Sequence, residues 1–120
     1  MSNAERFLDG YLEAWRTNEV NSIRALFAPD ATYRSSARDL QPATGIDEIL
    51  ERWLEERDEP GTWSYSGEVD LQTERSAVIR GVTTYTAGPK SGSYENVWLV
   101  RLDEDGRASE FQDWWFPHEG

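Results

Sequence analysis

The sequence predicts an α+β domain, with helices packed on one face of a curved antiparallel sheet. Three observations carry that prediction. Apolar residues recur at helical spacing up to Leu54. From Thr62 onward the chain is rich in β-branched and aromatic types. The breaks in that second half, "TERS", "GPKSG" and "DEDG", are short turn sequences that make antiparallel neighbours.

The elements follow in order. Ser2 stands three residues before Glu5, the spacing of a capping box. Ala4, Phe7, Leu8, Tyr11, Leu12 and Trp15 then form one helical stripe. A second short helix carries Val20, Ile23, Leu26 and Phe27 on one side, and Pro29 with Asp30 stops it. "ATYRSS" reads as a short strand and "RDLQPATG" as a loop. Thr44 is the expected cap of a third helix with the stripe Ile46, Ile49, Leu50, Trp53 and Leu54. "RDEPGT" ends it. Strands are expected over about 62–73, 77–87, 93–102 and 107–116.

A chain of 120 residues supports one domain with one core, here residues 1–120. It holds no cysteine, which removes disulfides, thiolate catalysis and cysteine-ligated zinc. The formal net charge is −11, which argues against nucleic acid or an anionic membrane as partner. That acidity reads as solubility or as adaptation to high salt. No apolar run approaches a membrane span, and "MSNAERFLDG" is amphipathic rather than a signal peptide. The expectation is a cytoplasmic protein. No histidine cluster or glycine-rich loop points to a metal or nucleotide, so no cofactor is expected. His118, the sole histidine, reads as part of a solvated tail.

The late strands carry large apolar groups on both faces. Alternation sets Tyr94, Asn96, Trp98, Val100 and Leu102 against Glu95, Val97, Leu99 and Arg101. In "FQDWWF" it groups Phe111, Asp113 and Trp115 against Gln112, Trp114 and Phe116. One face requires the helices as cover. The other calls for a second subunit, so a symmetric homodimer through the outer sheet face is expected.

The order of these elements resembles the SnoaL-like branch of the nuclear transport factor 2-like superfamily. "YLEAWRTNEVNSIRALFAPDATYR" is similar to its opening, "QPATGIDEILERW" to its loop into helix three, and "YENVWLVRLDEDGRASEFQDWWF" to its final hairpin. The likeness runs over about residues 5–116. It implies a cone-shaped α+β barrel, with three N-terminal helices packed in a strongly curved mixed or antiparallel sheet. It also implies an open pocket and a dimer. The fold hosts cyclases, isomerases, hydrolases and carriers, so the site must decide the function.

Compared residue by residue, the resemblance gives three outcomes. Tyr11 matches the helix-one tyrosine of steroid isomerases, but Ser35 and Trp98 stand where their two acids are implied. Arg80 and Asp113 match two groups of the limonene-type epoxide hydrolases, but Val82 replaces the other aspartate, and that chemistry needs two carboxylates. Asp113 matches the last-strand aspartate of SnoaL-like cyclases, which commonly follows a histidine and a tryptophan; Phe111 and Gln112 hold those two positions, so the histidine is absent. The resemblance therefore implies Asp113 and Arg80 as the catalytic pair. It implies a pocket lined by Tyr11, Trp15, Tyr33, Trp53, Asn96, Trp98, Phe111 and Trp115.

Tyr11, Trp15 and Trp53 lie on helix stripes, where residues more often fill cores than touch ligands. An Asp113–Arg80 contact would be as compatible with a structural salt bridge as with catalysis. Two readings stand at this point. One is a cofactor-independent cyclase, isomerase or hydrolase acting on a small, largely apolar, polyketide- or terpenoid-like molecule. The other is a non-catalytic binder or dimeric interaction module of the same fold.

Overall fold

The computed structural model describes residues 1–117 apart from Ala87, Pro89 and Lys90. The expected strand end at Ala87 and the tail residue His118 lie outside these. Three helices, α1 (Asn3–Thr17), α2 (Val20–Arg24) and α3 (Ile46–Glu55), pack against one six-stranded sheet. Its strands are β1 (Phe27–Arg34), β2 (Ala43–Thr44), β3 (Trp63–Gln72), β4 (Ser76–Tyr85), β5 (Gly92–Leu102) and β6 (Ala108–Pro117). Their spatial order is β2-β1-β6-β5-β4-β3. The pairings are antiparallel except β1 with β6, which is parallel. The sheet is mixed and does not close on itself. No helix among the described residues is long and apolar enough to cross a membrane.

The capping box of α1 forms as its spacing implies. Ser2 Oγ accepts from the Glu5 N–H at 3.1 Å, and Glu5 accepts from the Ser2 N–H at 3.0 Å. Its other end is set by Asn18, which takes the left-handed conformation at φ 55° and closes the helix onto Ala14 O at 2.7 Å. α2 is shorter than expected. It ends at Arg24, and Phe27 belongs to β1. The Ala108 N–H donates to Leu26 O at 2.7 Å, so pairing with β6 draws the chain into the sheet before Phe27. Pro29 and Asp30 consequently lie within β1, at the register shift between Phe27 and Thr32, where a missing N–H does least harm. Thr44 does not cap α3. It pairs with Thr32 in β2, and Gly45 holds the N-cap at φ 86°.

The core lies between α1, α3 and the inner sheet face. Phe7, Tyr11, Phe27, Trp53, Trp98 and Phe111 are all buried there. Tyr11 stacks on Phe111 with ring centroids 5.1 Å apart, and Tyr65 stacks on Trp98 at 4.9 Å. The second stack explains two glycines in mid-strand. Gly67 and Gly81 pair across β3 and β4, and the Tyr65 hydroxyl lies only 2.3 Å from where a Cβ on either would sit. Glycine lets this ring lie flat on the sheet.

Candidate functional site

A cavity of about 450 Å³ opens between the helices and the inner sheet face. Of the residues expected around a pocket, Tyr11, Trp15, Tyr33, Trp53, Asn96, Trp98, Asp113 and Trp115 line it. Phe111 does not. It is fully buried behind the wall, stacked on Tyr33 at 5.2 Å. Trp115 sits toward solvent at 47 % exposure, its indole N–H donating to Ser35 O at 3.1 Å.

Arg80 is absent from the cavity. Ile79 and Thr83 are buried, so strand alternation sends Arg80 and Val82 to the opposite face. The Arg80 guanidinium is largely solvent-exposed and lies 3.9 Å from Asp70. The expected Asp113–Arg80 pair therefore does not form, and neither does the epoxide-hydrolase arrangement built on it.

Asp113 has a different set of partners. It stands directly opposite Trp98 in the β5–β6 register. The Trp98 indole N–H donates to Asp113 Oδ1 at 3.1 Å, and Asn96 Nδ2 donates to the same oxygen at 3.3 Å. Asn96 is in turn oriented by Thr83, whose hydroxyl donates to Asn96 Oδ1 at 2.6 Å. That bond fixes which end of the amide faces the carboxylate. Both donors to Asp113 are neutral, and Oδ2 takes neither bond. Burial raises the Asp113 pKa to about 6, while the Asn96 and Trp98 bonds pull the other way.

Tyrosines surround this carboxylate. Tyr11 and Tyr33 are hydrogen-bonded to each other, and burial pushes both hydroxyls well above their ordinary range. Nearby Asp113 adds to the shift of each. Tyr65 and Tyr85 are raised by burial as well. All four stay protonated near neutrality and therefore able to donate.

A second acid was not singled out in the sequence. Asp58 Oδ2 accepts from the Trp15 indole N–H at 3.0 Å and from the Tyr85 hydroxyl at 3.2 Å, and Asp58 lines the same cavity. Asn18 holds its segment in place: Nδ2 donates to Asp58 O at 3.1 Å, and Oδ1 accepts from the Trp53 indole N–H at 3.0 Å. The only local signal was "RDEPGT", which reads as a helix stop rather than a site.

Across the opening, Arg52 Nη1 donates to Asp39 at 2.6 Å and to Ser35 Oγ at 3.2 Å, and Nη2 donates to Gln41 O. The backbone N–H groups of Ser35 and Gln41, with Arg52, hold Asp39 below its usual range despite the opposing effect of burial. Among the described residues, no group of three or more His, Cys, Asp or Glu is arranged to hold a metal ion.

The comparisons agree with this fold. A model of the SnoaL-like domain family matches residues 8–111. No curated protein matches the chain. Among solved structures, a steroid delta-isomerase from Pseudomonas aeruginosa superposes with a TM-score of 0.66 at 20% identity, over 98% of this chain and 82% of that one. A putative polyketide cyclase from Sinorhizobium meliloti gives 0.68 at 16% identity, over 94% and 99%. An NTF2-like protein of unknown function from Burkholderia pseudomallei gives 0.71 at 21% identity, over 94% and 90%. At such identities the shared feature is the fold.

Proposed function

The chain belongs to the SnoaL-like domain family, and on that premise we propose that its cavity binds a small, largely apolar molecule of polyketide or terpenoid type. Asp113 is the acid/base group of a cofactor-independent cyclase, isomerase or hydrolase reaction. The observation that carries this reading is the carboxyl group itself, raised to about 6 by burial beside an aromatic-walled cavity. A general base works best with a pKa near the operating pH. As carboxylate, Asp113 removes a carbon-bound proton next to a carbonyl and becomes the acid that returns it elsewhere on the molecule. In the Tyr11–Tyr33 pair one hydroxyl proton is used between the two rings, and the other is the donor available to a developing enolate oxygen. The likeness to a putative polyketide cyclase is in keeping with this chemistry.

Hydrogen–deuterium exchange at the acidic carbon of a cyclic 1,3-diketone or a β,γ-unsaturated ketone, followed by NMR, tests the reading. The protein should accelerate exchange, and Asp113→Asn should lower the rate by about 100-fold or more. Unchanged exchange in Asp113→Asn would defeat it.

A second reading is a non-catalytic binder, and Phe111 favours it. The residue stands where the resembling cyclases carry a histidine, and it is fully buried in the core. The outer sheet face belongs to either reading. Val82, Trp114 and Phe116 are 38 %, 36 % and 51 % exposed on it, a surface suited to a symmetric homodimer. Sedimentation at micromolar concentration should give twice the chain mass of 13.8 kDa. A monomer would remove the dimer without touching the cavity.

A further inference from the structure

Charge and ring geometry in the cavity bear on what kind of small molecule it takes. Four tryptophans and four tyrosines line it, and their faces carry negative electrostatic potential. Among the described residues three acids also line it: Glu56, Asp58 and Asp113. Among the described residues the lining cations are Arg52 and Arg57, and each is held by a carboxylate outside the lining. Arg52 meets Asp39 at 2.6 Å, and Arg57 meets Glu59 at 3.6 Å. The Asp113 carboxylate, by contrast, is bound by two neutral donors, Asn96 and Trp98.

An anionic ligand would face Asp113 and would have to displace Asp39 from Arg52. A neutral apolar ligand would desolvate Asp113 further, so above about pH 6 it binds with uptake of a proton by the carboxyl. A cation gains twice, from the carboxylate and from the ring faces within about 6 Å. The net charge of −11 also raises the local concentration of cations around the protein.

We propose that the cavity selects an apolar molecule carrying an organic cation, a protonated or quaternary amine, seated against Asp113 within the aromatic lining. This inference rests on the ligand-binding reading above and names the class of ligand. It also ties binding to the protonation of Asp113. The groups facing that carboxyl are Tyr11 from α1, Tyr33 from β1, Tyr65 from β3 and Tyr85 from β4. Glu56, Asp58, Arg52 and Arg57 lie around the rest of the cavity. The four tyrosines stay neutral through mildly acidic pH, whereas Asp113 takes up its proton near 6.

Two probes of nearly equal shape separate charge from bulk: (3-hydroxyphenyl)trimethylammonium and 3-tert-butylphenol. Calorimetric titration of the full chain at about pH 8 should give the cation at least about tenfold tighter binding. The preference should fall away on acidification through about 6, and Asp113→Asn should make the two probes bind about equally. The wild-type pH profile tests the same point should that variant fail to fold. Equal or tighter binding of the tert-butyl compound at about pH 8 overturns the cation preference while leaving ligand binding intact. Binding of neither probe also overturns it. Native mass spectrometry for a co-purifying molecule then decides the broader reading separately.

Discussion

The two faces of the β5–β6 hairpin are built from the same short stretches and live in different physical worlds. On the inner face Trp98 and Phe111 are 1% and 0% exposed, and Asp113 between them is shifted by burial. On the outer face Trp114 and Phe116 are 36 % and 51 % exposed. Tryptophan content alone therefore says little about energetics. Position in the two-residue alternation decides which face a ring takes, and position along the strand decides its depth: Trp115, near the end of β6, shares the inner face with Phe111 yet is 47 % exposed.

The largest expected effect breaks the inner face. Trp98→Ala removes a buried ring that touches Tyr11, Tyr65 and Phe111 and donates to Asp113. Urea unfolding should show a loss of about 3–5 kcal/mol. Trp114→Ala on the outer face should cost less than about 1 kcal/mol when measured on monomer. Comparable losses would mean the two faces are not distinguished as described.

Next comes the pH dependence of stability. Asp113 has a folded pKa near 6, above the ordinary carboxylate value of 3.8. Between those two values the folded state binds more proton than the unfolded state, so stability falls as pH rises through that window. Below it the carboxyl is neutral in both states and costs nothing. Above it the full penalty is present, on the order of 2–3 kcal/mol. Asp113→Asn should flatten this slope and be more stable than wild type near neutrality, read by urea midpoints from about pH 4 to 8. A slope unchanged in the variant would locate the titrating group elsewhere.

Two smaller effects refine the inner face. Gly81→Ala would put a Cβ 2.3 Å from the Tyr65 hydroxyl and 2.7 Å from Ser66 O, displacing the ring from Trp98. A loss of about 1–3 kcal/mol is expected in thermal or urea unfolding. Thr83→Val keeps the shape but removes the donor to Asn96 Oδ1, at a cost of about 1–2 kcal/mol. The Asp113 titration, followed by NMR of its carboxyl carbon, should then move upward as Asn96 loses its orientation.

Much of this was legible beforehand because it rests on local rules. The helical stripes, the capping box, the turns and the two faces of "FQDWWF" all follow from periodicity and turn chemistry. The departures occur where distant segments compete with local preference. α2 stops early because β6 pairs with the chain at Leu26, and Thr44 joins β2 instead of capping α3. At the site, resemblance pointed to Asp113 with Arg80, yet Arg80 lies one alternation step out of phase and faces the opposite side.

The α+β order, the burial pattern of the late strands and the one carboxylate among aromatic face-mates are written locally in the chain. These depend on intervals of two and of three to four residues, which the chain carries locally. What Asp113 meets was set by tertiary structure: it is bound by Asn96 and Trp98, seventeen and fifteen residues away, and its charge acts on Tyr11 and Tyr33 from the other end of the chain. Tertiary structure also brought Asp58 to the same cavity through Trp15, Tyr85 and Asn18. Strand register and helix docking set those contacts, and both arise from burial summed over the whole domain rather than from any short stretch of it.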